Sequence, residues 1–104
     1  MRRGEVWWAH LPKPVGRRPV VLLSRDSAYG VRTAVTVAPI TRTIRDIPVE
    51  VPLDQGDGLP VSCVANLDDL TTVPKSCIKR RIATLSADKL RRVEHAIRFA
   101  LDLP

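Results

Sequence analysis

Two apolar runs separated by one short connection constrain this chain more than anything else in it. The first is Val20-Val21-Leu22-Leu23, entered through Gly16-Arg17-Arg18-Pro19. The second is Val35-Thr36-Val37-Ala38, which leads into Pro39-Ile40-Thr41-Arg42, and Gly30 lies in the turn between them. Short apolar, β-branched runs around a turn read as paired strands. Val20 to Leu23 is apolar at both parities, which suits a central strand covered on both faces. If the strands are antiparallel neighbours, the start of the first and the end of the second lie on the same side of the sheet. Arg18 stands at the mouth of the first strand and Thr41 just past the end of the second. A cation and a hydroxyl then share one surface, and the planar fork of a guanidinium suits phosphate.

The rest of the chain supplies neighbours for this pair. Glu5 to Leu11 reads as the first strand. Its consecutive Trp7 and Trp8 point to opposite faces, so one belongs to the core and the other to an exposed, interfacial or ligand-facing surface. Pro12, Pro14 and Gly16 make a loop that carries Lys13. Thr33 to Ile40 is the next strand after Val20 to Leu23. Ile47 to Leu53 alternates, with Ile47, Val49, Val51 and Leu53 on one face and Pro48, Glu50 and Pro52 on the other. Two prolines of equal parity mark an edge strand. Gln55 to Gly58 is a turn, and Val61 to Leu67 is a further strand ending at Asp68-Asp69. Leu70 to Val73 and Ile78 to Ala83 complete the β pattern. In the last of these, Lys79-Arg80-Arg81 is adjacent to apolar neighbours, so either a bulge intervenes or Arg80 faces a polar rim.

Ser86 to Leu101 reads as the one long helix. Ser86 is its N-cap, Asp88 lies in its first turn, and Leu85 and Leu90 sit at staple positions. Leu90, Val93, Ile97, Ala100 and Leu101 form its apolar stripe. Five to seven short strands and one amphipathic helix make a mainly β, α+β chain, a partly closed antiparallel barrel with a C-terminal helix. At 104 residues, with 44% apolar content, this is one domain with a core of its own.

Charge narrows the partners. The formal net charge is +6, which favours a polyanion such as nucleic acid, an acidic protein or a membrane surface. Cys63 and Cys77 form no Cys-x-x-Cys pattern and have no nearby His pair, so they are not a zinc site. Cys63 lies in an apolar run and reads as a small core residue. No signal-type stretch follows Met1-Arg2-Arg3-Gly4-Glu5, and no segment approaches the roughly 18 apolar residues of a membrane span. A reducing cytoplasm is the expected location.

Arg2-Arg3-Gly4-Glu5-Val6-Trp7, then Gly16 to Leu22, then Val37-Ala38-Pro39-Ile40-Thr41, resembles the MazF/PemK toxins of bacterial toxin–antitoxin pairs. Val49 to Leu53, Gly58-Leu59, Val61 to Val64 and Leu85-Ser86 continue the resemblance in order over nearly the whole chain. It implies an SH3-like barrel, a homodimer and a metal-independent, cofactor-free endoribonuclease held in check by an antitoxin with an acidic, partly disordered tail. It also implies that Arg18 and Thr41 are the catalytic pair. The 2′-hydroxyl of RNA is the nucleophile, and a preorganised guanidinium stabilises charge on the attacked phosphate. Arginine is rarely deprotonated, so Arg18 is assigned electrostatic stabilisation, with leaving-group protonation open. The expected products are a 2′,3′-cyclic phosphate and a 5′-hydroxyl.

Lys13, Arg17, Arg25, Arg42 and Arg45 are expected to bind backbone phosphates, which sets register without reading bases. Asp68 matches a family Asp and is carried as an RNA-contacting residue. On its own residues the Asp68-Asp69 pair reads as a turn with one Asp capping. Single-stranded RNA is the expected substrate, because unstacked bases are readable. His10 and His95 do not make a two-histidine ribonuclease; His95 reads as a surface residue. Two rival functions stay open on the sequence. One is a non-catalytic CcdB-like toxin that binds gyrase, and the other is a plain RNA- or DNA-binding module.

Overall fold

The computed structural model describes residues 1–104 throughout. The elements are β1 (Glu5–His10), β2 (Arg17–Leu22), β3 (Ala34–Thr41), β4 (Glu50–Leu53), β5 (Cys63–Asn66), β6 (Thr71–Pro74), β7 (Ile78–Thr84) and α1 (Ala87–Leu101). The strands form one seven-stranded sheet in the order β4-β5-β3-β2-β1-β7, with β6 paired to β3 off that path. Every pairing is antiparallel, and the sheet does not close into a ring. The mainly β architecture with one C-terminal helix agrees with the sequence pattern, and β4 is the expected edge strand.

The two parities of β2 feed two separate cores. Val20 and Leu22 pack with Ala9, Val35, Val37, Val73 and Ile78. Val21 and Leu23 face the other way, into the cluster of Val6, Ala38, Val51, Leu53 and Val93. Helix α1 covers that second cluster through Val93 and Ala96. Each valine, leucine or isoleucine among them contributes about 1.5–3 kcal/mol when fully buried. Ser86 caps α1 by accepting the Lys89 N–H at 3.1 Å, and Lys89 Nζ donates to the Pro52 carbonyl at 2.6 Å, tying the helix to β4.

β3 is the strand that shapes the site. Its first half, Ala34 to Val37, pairs with β6, and its last two residues, Ile40 and Thr41, pair with Ala65 and Val64 of β5. On its other side the β2–β3 ladder runs from Leu22↔Val37 to Val20↔Pro39 and stops. Pro39 closes the ladder and Pro19 is the next residue of β2, and neither has an N–H to donate. The two strands part there.

Several local expectations change. β2 starts at Arg17, so Arg18 lies inside the strand, and Thr41 is the last residue of β3. The alternating stretch before β4 is a loop as far as Val49, and Ile47 is 38% exposed. Glu50, expected on the outer face, is only 8% exposed because its carboxylate is drawn inward by loop N–H groups. Neither tryptophan is a core residue or fully exposed. Both are half-buried, Trp7 beside the first cluster with its Nε1 donating to Glu5 Oε1 at 3.0 Å. The β1–β7 register shifts twice, which accommodates the Lys79-Arg80-Arg81 run as a bulge. On α1, Leu101, expected in the apolar stripe, is exposed, and Ala96, outside that stripe, is buried beside Val93.

Candidate active-site cleft

Where β2 and β3 part, a cleft of about 360 Å³ opens. Its lining includes Trp8, Arg18, Pro19, Ile40, Thr41 and Cys63. Extending the β2–β3 register past Val20↔Pro39 sets Arg18 across from Thr41, and both side chains line the cleft. Ladder hydrogen bonds end at the prolines, so the space between these two residues is open.

Each wall has its own support. Thr41 Oγ1 accepts the Thr43 N–H at 3.1 Å. That bond occupies a lone pair of the hydroxyl and leaves its proton free to donate. Arg17 lies over Trp8, with its Cζ 4.4 Å from the ring centroid, a cation–π contact at the cleft edge. Arg17, Arg42 and Thr43 complete the polar lining. No carboxylate lines the cleft, and no salt bridge engages Arg17, Arg18 or Arg42. Three guanidinium groups without carboxylate partners make a strongly positive concavity, suited to an anion. Cys63 forms part of the floor. Burial, reinforced by Asp57 and Asp54, pushes its thiol up, so it stays protonated, and its Sγ faces the Leu53 carbonyl at 3.7 Å. It acts as packing and not as a nucleophile.

Of the residues singled out from sequence, Arg17, Arg18, Thr41 and Arg42 are brought together. The others are not. Lys13 is exposed on the β1–β2 loop, at the same end of the sheet but outside the lining. Arg25 follows β2 at its opposite end, next to the 3-10 turn Asp26–Ala28. Arg45 is exposed, and its backbone N–H is bound by Glu50 Oε1 at 2.9 Å. Asp68 is exposed in the 3-10 turn Leu67–Asp69, beyond the end of β5 that is remote from the cleft. The capping group of that turn is Asn66, whose Oδ1 accepts the Asp68 N–H at 3.0 Å. His10 ends β1 outside the cleft lining, and His95 is a surface residue on α1. Thr43 and the β4–β5 loop residues Leu59, Pro60 and Val61 also line the cleft. Sequence reasoning missed them; the signal available was the Pro19 and Pro39 pair, which marks where the sheet must open.

No three His, Cys, Asp or Glu side chains converge to hold a metal ion, and no helix is long and apolar enough to cross a membrane. Residues 2–101 match the family profile described as PemK-like, MazF-like toxin of type II toxin–antitoxin system. A protein of Mycobacterium tuberculosis named probable endoribonuclease MazF5 is 40% identical over 101 residues, covering 96% of this chain and 92% of its own length. The solved structure of Mycobacterium tuberculosis toxin MazF-mt6 superposes with a TM-score of 0.89 at 36% identity, covering 96% of this chain and 98% of that one. A MazE–MazF crystal structure from Deinococcus radiodurans gives a TM-score of 0.85 at 25% identity, covering 100% of this chain and 98% of the matched one.

Proposed function

The chain belongs to the PemK-like, MazF-like toxins of type II toxin–antitoxin systems and is an endoribonuclease of that family, and from that premise we propose that its cleft cuts single-stranded RNA by transesterification between Arg18 and Thr41. The observation that carries the proposal is the juxtaposition of those two side chains at the point where the β2–β3 ladder ends.

The 2′-hydroxyl of the nucleotide 5′ to the cut attacks the adjacent phosphorus. The 2′-hydroxyl gives its proton to solvent water, the bond from phosphorus to the 5′-oxygen breaks, and solvent returns a proton to that oxygen, leaving a 2′,3′-cyclic phosphate and a 5′-hydroxyl. Negative charge grows on the non-bridging oxygens during attack. Arg18 donates to those oxygens through a charge-assisted fork. Thr41, whose oxygen is already engaged by Thr43 N–H, donates its hydroxyl proton to the same phosphate. Because RNA supplies the nucleophile and Arg18 the positive charge, this route calls on no metal and no cofactor.

Arg17 and Arg42 hold flanking phosphates. The Trp8–Arg17 stack at 4.4 Å offers a flat face on which an unpaired base can lie, the feature that supports preference for single strands. The chain acts in the cytoplasm as a homodimer. An antitoxin with an acidic, disordered tail inhibits it by laying carboxylates on the same arginines; the MazE–MazF complex among the similar structures supports such a partner.

The test is cleavage of a long mixed-sequence RNA in EDTA, with the cut ends mapped. We expect cuts at one recurrent short motif, on single-stranded RNA and not on duplex, suppressed by an acidic peptide. Intact RNA under these conditions, with salt-sensitive binding retained, would reduce the chain to a binding module.

A further inference from the structure

From the contacts of one buried carboxylate, we infer that Glu50 is a positioning residue for Thr41. It acts through the loop that joins β3 to β4. The inference rests on the cleavage reading above and deepens it.

Glu50 opens β4, at the edge of the sheet and away from the cleft lining. It is nevertheless buried, and its Oε1 accepts two backbone N–H groups, from Arg45 at 2.9 Å and Asp46 at 3.0 Å. Asp46 takes a left-handed backbone conformation, φ 56°, one that ordinary residues adopt only when their surroundings enforce it. The Glu50 N–H returns to the Ile47 carbonyl at 3.0 Å and closes the same loop. Only the short stretch from Arg42 to Arg45 separates Asp46 from Thr41. Arg42 and Thr43 within it are both cleft residues, and Thr43 supplies the N–H that orients the Thr41 hydroxyl.

One oxygen therefore anchors the middle of the loop whose near end sets the direction of a catalytic proton. The other oxygen, Oε2, is buried with no hydrogen-bond partner, so its burial is not explained by satisfying its own polarity. A group that served only to stabilise the edge strand would be replaced at lower cost by an apolar residue. The polar role this side chain fulfils is as an acceptor for loop N–H groups.

The experiment compares wild type with Glu50→Ala, Glu50→Gln and Thr43→Pro. It reads steady-state cleavage of an RNA oligonucleotide carrying the mapped motif, and amide hydrogen exchange over residues 42–46 and 20–22. Glu50→Ala should lower kcat by about 10- to 100-fold with KM changed less than about threefold, since misplacing a group that acts in the transition state costs turnover and not binding. Glu50→Gln keeps an acceptor oxygen and should stay within about threefold of wild type. Thr43→Pro removes the donor to Thr41 directly and should reproduce the kcat loss with Glu50 intact. Exchange should quicken about tenfold or more at Arg45 and Asp46 in Glu50→Ala and stay slow at Val20 to Leu22. Wild-type kcat in Glu50→Ala with a loosened loop, a Glu50→Gln loss as deep as that of Glu50→Ala, or loss of protection at Val20 to Leu22 would each overturn the inference. If wild type cuts no RNA, the cleavage reading fails by itself. Exchange at Arg45 and Asp46 still decides whether Glu50 holds the loop.

Discussion

The β2–β3 pair has two ends, and they are built in opposite ways. At the Leu22 end the backbone groups are tied down. Gly4 N–H donates to the Leu22 carbonyl at 2.8 Å, and Leu23 N–H to the Thr36 carbonyl at 3.0 Å. Thr36 N–H goes to Ser24 Oγ at 2.8 Å, and Arg3 N–H to Asp26 Oδ1 at 2.7 Å. At the Arg18 end the ladder halts at Pro39, and cations take the place of backbone pairing. The first end spends its polar groups on itself. The second leaves its arginines without carboxylate partners. The proposed function thus separates stability from catalysis along one pair of strands, and a substitution should reveal which end it belongs to by what it changes.

The largest effect should come at the open end. Arg18→Ala should slow single-turnover RNA cleavage by about 10³-fold, with the thermal midpoint little changed, because a preorganised charge has been removed from a site with no structural partner. At the sealed end, Leu22→Ala should do the reverse. Leu22 is fully buried in the first cluster, and its truncation should cost about 2–5 kcal/mol of stability in chemical denaturation. Cleavage per folded molecule should be retained. If Leu22→Ala slowed the reaction as strongly as Arg18→Ala, the two ends would not be separable. Thr41→Ala should fall next, with a loss of about 10²-fold in kcat and RNA binding preserved.

A smaller effect concerns Glu5, which anchors the sealed end. Burial alone would push its carboxyl up. The hydrogen bonds from Trp7 Nε1, the Arg2 N–H and Arg81 outweigh that, aided by the N-terminal charge, and hold it below the ordinary value of 4.5. A depressed folded-state pKa stabilises the fold fully above the unfolded value and loses that contribution as pH falls through the folded one. Thermal midpoints measured from pH 7 downward should therefore drop below pH 4.5 in wild type. In Glu5→Gln that component of the drop should vanish. An unchanged acid profile would remove Glu5 from the stabilising contacts. The smallest effect is expected for Arg17→Ala. The slope of log affinity against log salt should fall by about one, because the rim then neutralises one phosphate fewer.

Much of the scaffold was legible in the sequence, because its signals are local. The two-sided apolar run of β2 and the apolar stripe of α1 follow from side-chain periodicity, while Ser86 marks the helix start and Pro52 the edge strand. Arg18 and Thr41 were legible as a pair because an antiparallel partner brings strand ends together. The cleft was legible only in part. Arg25 was grouped with the site by sequence order and Asp68 by its match to a family Asp, but each follows its strand at the end away from the cleft, and neither sequence distance nor a motif match reports direction along a sheet. Glu50 was placed on the outer face by strict alternation. The strand begins only at Glu50, and the loop N–H groups that draw it inward have no periodic signature. Pro19 and Pro39 were visible throughout. Their meaning depends on being side by side across a ladder, which only the register shows.

The proposed function makes the open end of the β2–β3 pair a phosphate site where RNA cuts itself under the influence of Arg18 and Thr41. The most direct measurement uses one oligonucleotide carrying the mapped motif, with ribose or 2′-deoxyribose at the scissile nucleotide, incubated with wild type in EDTA. The ribose form should yield a 2′,3′-cyclic phosphate and a 5′-hydroxyl. The deoxy form should bind with similar affinity and remain whole. Cleavage of the deoxy form, or 5′-phosphate ends from the ribose form, would contradict the claim, because the nucleophile would then come from outside the RNA.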